Sequence, residues 1–238
     1  MLKKYGVELK LGKTVNSETL NAGKFDIVVL ATGVKPRELE LDGIDHPKVL
    51  NYLDVLDKER VVGQKVAVIG AGGIGIDVAH YLTAQTPFPG EVPEYFQGYG
   101  ILDSEKALAL RKPKKREVTV LQRSADKIGK RLGKTTGWAH IQTLKSHGVQ
   151  LLPGATYLKI DDSGLHVRVA LKKDEGPKNI VFEVDNVIVA AGQEPRRELE
   201  TSLRKAGFEV HVIGGAKAAL GLDAKTAISD GAELAAKL

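Results

Sequence analysis

Gly70-Ala71-Gly72-Gly73-Ile74-Gly75 sets three glycines at the spacing G-x-G-x-x-G, directly after an apolar run at 65–69 and directly before a helical pattern. The spacing alone is a weak signal. A strand before it and an amphipathic helix after it supply the context in which such a turn receives a diphosphate. Gly70 permits the tight strand-to-helix turn, Gly72 lets a phosphate approach the backbone because it has no Cβ, and Gly75 lets the helix lie close on the strand. The unpaired N–H groups of the first helical turn, near Gly73 and Ile74, and the positive helix end then meet the anionic oxygens. The chemistry indicated is capture of a dinucleotide pyrophosphate.

The following strand, at 118–121, runs into Gln122-Arg123-Ser124. Sites that take NAD usually place Asp or Glu there to accept hydrogen bonds from the ribose 2′-hydroxyl. Residues 118–124 hold no carboxylate and do hold an arginine, whose guanidinium suits a 2′-phosphate. One charge-assisted hydrogen bond of about 1.5–3 kcal/mol corresponds to roughly a 10- to 150-fold preference for NADPH. Arg123 lies about 50 residues past the turn rather than the usual ~20, and the Pro-, Gly- and Tyr-rich stretch 86–116 accounts for the excess. Lys127, Lys130 and Arg131 either support the same anion or form a solvated basic loop.

Other chemistry finds little support. Gly129-Lys130-Arg131-Leu132-Gly133-Lys134-Thr135 imitates a phosphate-binding P-loop, but that loop needs its first glycine at position 128, which is Ile128, so an ATPase is not expected. His80, His140 and His147 fall on expected helices without a ligand four residues on, and Asp161-Asp162-Ser163-Gly164 reads as a turn. No Ser–His–Asp arrangement follows from the sequence. The chain has no cysteine, which excludes disulfides, thiolate zinc sites, Cys-ligated iron–sulfur clusters and a redox-active C-x-x-C pair within it. A reducing cytoplasm is the expected compartment. The net charge of +5 is mixed in sign along the chain, and the densest basic cluster, at 111–116, contains a proline and no aromatic, so no nucleic-acid partner is expected. No apolar run exceeds about five residues, so no membrane partner is expected either.

The elements that must position these residues alternate. Strands are expected at 7–11, 25–30, 65–69, 118–121, 149–152, 157–160, 165–171, 180–184, 187–190 and 210–213. Helices are expected at 73–84 and 136–147, at 104–110 as a short piece, and at 224–237 with Asp223 as its cap. The β–turn–α–β repeat implies a doubly wound, Rossmann-like α/β sheet, and the close-set strands from 157 to 184 an appended antiparallel meander.

Three further segments carry a family resemblance. Phe25-Asp26-Ile27-Val28-Val29-Leu30-Ala31-Thr32-Gly33-Val34-Lys35-Pro36-Arg37 is similar to the ATG strand of two-dinucleotide flavoprotein reductases. Val187-Ile188-Val189-Ala190-Ala191-Gly192-Gln193-Glu194-Pro195-Arg196 is similar to its counterpart after the pyridine-nucleotide domain. Val210-His211-Val212-Ile213-Gly214-Gly215-Ala216 is similar to the terminal FAD-contacting strand. Together with Gly43-Ile44-Asp45-His46-Pro47-Lys48-Val49 and Gly133-Lys134-Thr135-Thr136-Gly137-Trp138, nearly the whole chain resembles the C-terminal part of bacterial NADPH-dependent 2,4-dienoyl-CoA reductases. These join an Old Yellow Enzyme-like barrel to a flavoprotein module.

The resemblance implies an NADPH-binding domain at 63–193 inserted in a partial FAD-binding domain made of 1–62 and 194–238. It implies that Gly70, Gly72, Gly73, Ile74 and Gly75 hold the NADPH pyrophosphate, that Arg123 holds its 2′-phosphate, and that Ala190, Ala191 and Gly192 lie near the nicotinamide. Ala31, Thr32, Gly33, Gly214, Gly215, Leu222, Asp223 and Ala224 would line FAD. In the family, hydride passes from NADPH to FAD, and electrons then cross a 4Fe–4S cluster to FMN, which reduces a dienoyl-CoA of fatty acid β-oxidation in the barrel. The barrel, FMN and cluster are expected only in an N-terminal region missing from this chain, which therefore would not act on acyl-CoA alone. Only one G-x-G-x-x-G occurs, and Ile213-Gly214-Gly215-Ala216 lacks the usual acid of the terminal FAD strand, so the expectation is a fragment with a whole NADPH site and a half-built FAD site. Two alternatives stay open: a nucleotide-binding module without turnover, and a fragment of another fused flavin reductase, such as a glutamate synthase small-subunit relative.

Overall fold

The computed structural model describes residues 2–23, 25–57, 60–83, 116–133, 135–171 and 175–238. The chain divides into two compact units, Pro36–Gly192 and the split pair Met1–Lys35 with Gln193–Leu238. Most of the 86–116 excursion, including the helix expected at 104–110 and the basic cluster up to 115, lies outside the described residues.

The larger unit is built on a parallel five-stranded sheet. Its strands, in chain order, are β3 (Val49–Asn51), β4 (Lys65–Ile69), β5 (Glu117–Leu121), β6 (Gln150–Leu152) and β10 (Asn186–Val189), in the spatial order β3-β10-β4-β5-β6. On one face lie α2 (Tyr52–Leu56), α3 (Gly73–Thr83) and α4 (Gly137–Ser146). On the other lies the antiparallel meander of β7 (Thr156–Asp161), β8 (Gly164–Val169) and β9 (Lys178–Phe182).

The residues of β4 show why the sheet sits inside. Val66 and Val68 join the helical core with Val55, Val78 and Leu144, whereas Ala67 and Ile69 join the meander core with Leu121, Leu165 and Val167. A strand covered on both faces needs an unbroken apolar run rather than alternation, and 66–69 has one, all four residues being buried. The middle strand of the meander, β8, instead alternates, with Leu165, Val167 and Val169 fully buried and Arg168 exposed between them. The loops between elements are fastened by side chains. Asp185 accepts from the Gln64 and Lys65 amides, each at 2.8 Å, and the Arg116 guanidinium donates to the carbonyls of Gly63, Leu82 and Val62.

Residues 36–57 and 60–62, which the resemblance groups with the first segment, fall within this unit. Here β3 pairs in parallel with β10, and Tyr52 and Val55 enter the helical core. A three-residue strand is too short to carry a periodicity, so nothing in the sequence announced it. The helix after it is nucleated by a capping box, in which Asn51 accepts from the Asp54 amide and Asp54 accepts from the Asn51 amide.

In the split unit, β1 (Ile27–Leu30) pairs in parallel with β12 (Glu209–Val212), Ile27 opposite Glu209. Val28, Leu30 and Val210 pack with Leu203 of α5 (Glu200–Lys205). β2 (Val34–Pro36) pairs with β11 (Gln193–Pro195). Two further helices, α6 (Gly214–Lys217) and α7 (Ala224–Ala235), follow β12, and Asp223 caps α7 by accepting from the Thr226 amide at 2.7 Å. The strand expected at 7–11 is absent. That part of the chain instead carries a 3-10 turn at Leu2–Tyr5 and the helix α1 (Ser17–Ala22). Val7, Leu9 and Leu11 are exposed, and alternation makes no strand without a neighbour to bond. Among the described residues no helix is long and apolar enough to cross a membrane.

Candidate functional site

Parallel register gathers the nucleotide candidates at one sheet edge. Ile69 lies opposite Leu121 on one side and Val189 on the other. The glycine turn after β4, Arg123 after β5 and Ala190–Gly192 after β10 therefore leave the sheet at its carboxyl edge, where open α/β sheets place ligands.

The three motif glycines are required for three separate reasons. Gly70 has φ +112°, and a Cβ there would lie 2.2 Å from the Ala190 carbonyl oxygen. A Cβ on Gly75 would lie 1.9 Å from the Gly70 carbonyl oxygen, so only glycine lets α3 sit this close to the turn. Gly72 is different, because among the described residues nothing lies within 4 Å of the position its Cβ would take, and the same holds for Gly73. That open face lies beside the first N–H groups of α3, which have no intrahelical acceptor. Gly70 is fixed from below, its amide donating to the Leu121 carbonyl at 2.9 Å. The residues present fit a diphosphate.

Arg123 is exposed on a loop whose backbone is held on both sides. Gln122 N–H donates to Leu152 O at 2.9 Å, Ala155 N–H to Gln122 O at 2.9 Å, and Gly154 N–H to Ser124 O at 3.0 Å. The Gln122 side-chain amide donates to the carbonyls of Ser124 and Asp126. Asp126 is a carboxylate three residues past Arg123 that the 118–124 window did not include. It is engaged, accepting from Lys130 Nζ at 2.9 Å and from Ser124 Oγ at 3.1 Å, and these partners, Lys130 first, hold its carboxyl below the usual range. Lys130 is thereby paired rather than directed at an anion.

At the third strand end, Ala190 N–H donates to Ile69 O at 2.8 Å, and Gly192 takes φ +113°. The Arg37 amide donates to Gly192 O at 3.1 Å, and its guanidinium carbon would lie 3.7 Å from a Cβ on Gly192. Arg37 is a cation beside the 190–192 segment that the sequence did not single out, because 155 positions separate it from Gly192.

In the split unit the flavin candidates also converge. A Cβ on Gly215 would lie 2.9 Å from Val34 Cγ1, 3.0 Å from Leu222 Cδ2 and 3.1 Å from the Gly33 carbonyl carbon. Thr32 Oγ1 donates to the Arg196 carbonyl, and Arg196 N–H donates to Gly33 O at 3.0 Å. The Gly214 amide, however, is already bonded to Asp230 Oδ2 at 3.0 Å. Asp230 also accepts from Lys217 Nζ at 2.9 Å, so a carboxylate from α7 stands against a turn whose own residues 213–216 carry none. Lys217 and then the Gly214 amide keep the Asp230 carboxyl below the usual range. No sequence signal marks this pairing across sixteen positions.

Among the described residues the remaining polar groups do not make a second centre. Ser163 Oγ and Asp161 Oδ1 both meet His166 Nε2, at 3.0 and 2.9 Å. A nucleophile relay needs the two partners on opposite ring nitrogens, so this cluster fastens the expected turn. The His80 ring meets His140 edge-on at 5.2 Å, and its Nε2 is buried without a partner among the described residues. Burial first, then the neighbouring imidazoles, pushes its pKa down. Among the described residues no three metal-ligating side chains gather to hold an ion.

Known proteins resemble this chain across most of its length. The family pattern described as pyridine nucleotide-disulphide oxidoreductase matches residues 1–218. A metal reductase of Desulforamulus reducens is 28% identical over 215 residues, 89% of this chain and 31% of its own length. A solved 2-naphthoyl-CoA reductase, in complex with 2-naphthoyl-CoA, aligns with 100% of this chain and 30% of its own, at 27% identity and a TM-score of 0.77. Thioredoxin reductase of T. acidophilum, at 16% identity and TM-score 0.59 over 89% of this chain and 64% of its own, shares the fold. The chain thus spans about a third of the curated relative and of the naphthoyl-CoA reductase. The fold is the α/β architecture of two-dinucleotide flavoproteins, and the chain belongs to the pyridine nucleotide-disulphide oxidoreductase family, flavin oxidoreductases that bind FAD and NAD(P).

Proposed function

We propose that this chain is the NADPH-binding, electron-entry module of a flavin-dependent reductase of the 2,4-dienoyl-CoA reductase type. The observation that carries the reading is the combination at one sheet edge of an open-faced glycine turn with an exposed arginine, and no free carboxylate, at the end of the next strand. Gly72, Gly73 and the first amides of α3, Ile74 and Gly75 among them, would bind the pyrophosphate. Arg123 would pair with the 2′-phosphate, and Ala190, Ala191 and Gly192 would border the nicotinamide, with Arg37 as a neighbouring cation. Ala31, Thr32, Gly33, Gly214, Gly215 and Leu222–Ala224 would hold part of FAD. Together NADPH and FAD, when bound, supply hydride transfer and two-electron storage.

Within the chain there is no cysteine, so its own residues perform no disulfide exchange and act by binding and orienting. The likeness to a reductase of an aromatic CoA thioester favours an acyl-CoA as final acceptor. Its reduction is assigned to a barrel domain with FMN and a 4Fe–4S cluster outside these 238 residues.

Calorimetric titration of the purified chain with NADPH and NADH tests the reading. Tighter binding of NADPH by at least tenfold is expected. Equal affinities would remove the 2′-phosphate assignment, and no binding of either would remove the nucleotide site.

A further inference from the structure

One backbone carbonyl joins the two arms of the nucleotide site. Leu121 O, at the end of β5, accepts from the Gly70 amide at 2.9 Å and from the Tyr157 hydroxyl at 3.1 Å. Gly70 opens the glycine turn, and Arg123 stands two residues beyond Leu121. A carbonyl oxygen has two lone pairs, so these two donors saturate it.

Tyr157 reaches this point from β7. Its ring packs on the meander core that includes Ile69, Leu121 and Leu152, and the β7–β8 register breaks immediately after it, between Tyr157 and Lys159. Such a break re-aims a side chain relative to a regular strand. Shielding from water pushes the phenol up to about 12, and the Arg123 guanidinium is near enough to act against that shift. The hydroxyl therefore stays a donor across the physiological range, and it lies within electrostatic reach of the arginine.

We propose that Tyr157 is a positioning residue for pyridine nucleotide selection: by sharing the Leu121 carbonyl with the Gly70 amide, its hydroxyl fixes the peptide from which Arg123 reaches the 2′-phosphate. The inference rests on the assignment of Arg123 made above. Without the hydroxyl, the carbonyl keeps only the Gly70 amide, and the 121–122 peptide loses the side-chain donor that fixes its carbonyl end, its N–H still bonded to Leu152 O.

The test is calorimetry on the full chain with 2′-phospho-ADP-ribose and with ADP-ribose, whose affinity ratio isolates the 2′-phosphate. Tyr157→Phe keeps the ring and its packing. It is expected to lower that ratio about three- to tenfold while ADP-ribose affinity stays within about twofold. In an Arg123→Ala background the same substitution is expected to leave the ratio unchanged, a coupling that a merely structural role would not produce. An unchanged ratio in Tyr157→Phe, or an equal loss of both ligands with a lowered melting temperature, overturns the inference. A wild-type ratio near one, or a ratio indifferent to Arg123→Ala, instead overturns the Arg123 assignment and takes this inference with it.

Discussion

Among the described residues nothing meets a Cβ placed on Gly72 or Gly73, whereas Gly215 is walled in by Val34, Leu222 and Gly33. Gly70 N–H, beside the first pair, is bonded downward into the sheet at Leu121, which leaves the ligand-facing side clear. Gly214 N–H, beside Gly215, is bonded sideways to the Asp230 carboxylate. The two glycine turns thus differ in kind: one is open, among the described residues, beside the first amides of a helix, and the other is a close-packed corner whose leading amide already has an anionic partner. A glycine's role is set by what its missing Cβ would touch, and the sequence does not print that.

Breaking the packing role gives the largest effect. Gly75→Ala drives a Cβ into the Gly70 carbonyl and is expected to cost about 3 kcal/mol or more, read from urea unfolding. A loss under about 1 kcal/mol would mean that α3 does not depend on this close approach.

Sharpening the cradle comes next. Arg123→Ala is expected to reduce the NADPH over NADH preference by about 10- to 150-fold with no change in melting temperature. A residual preference as large as the wild type's would place the 2′-phosphate elsewhere.

Gly72→Ala separates binding from stability. Gly72 is not in the left-handed region, and its Cβ meets nothing described, so unfolding free energy should shift by no more than about 0.5–1 kcal/mol. NADPH affinity should nevertheless fall about tenfold, because the added methyl occupies the diphosphate's approach. If affinity survives, the cradle lies on another face of the turn.

The smallest effect tests the corner. Asp230 is held below the usual carboxylate range by Lys217 and the Gly214 amide. A depressed folded-state value contributes stability that is complete above about pH 4 and is lost as pH falls through that value. Urea midpoints measured between pH 5 and 3 should therefore fall less steeply in Asp230→Asn than in the wild type. Parallel curves would show that the carboxylate adds nothing to this corner.

Legibility in the sequence followed length and locality. The strand at 65–69 was readable from its run of apolar residues and the helix after it from its periodicity, with an uncommon glycine spacing between them. The cap at Asp223 was readable because its partner is three residues away. β2, β3 and β11 were not, since each is a three-residue piece without an apolar run like that at 149–152 and exists through its neighbour's hydrogen bonds. The strand expected at 7–11 failed for the converse reason: it has the alternation but, among the described residues, no strand pairs with it.

For the site, residue types alone determined that residues 70–75 must turn tightly and could accept a diphosphate, that position 123 offers a cation where an acid is usual, and that no thiol chemistry occurs in this chain. Tertiary structure decided which of these groups meet. Register across three parallel strands brought 70, 123 and 190–192 to one edge, packing closed Gly215 and left Gly72 open, and long-range pairing delivered Asp230, Arg37 and Tyr157. The reason is physical: backbone preference acts over a few residues and is written in local sequence, whereas a carbonyl's second donor or a glycine's nearest neighbour is fixed only when distant segments are packed together.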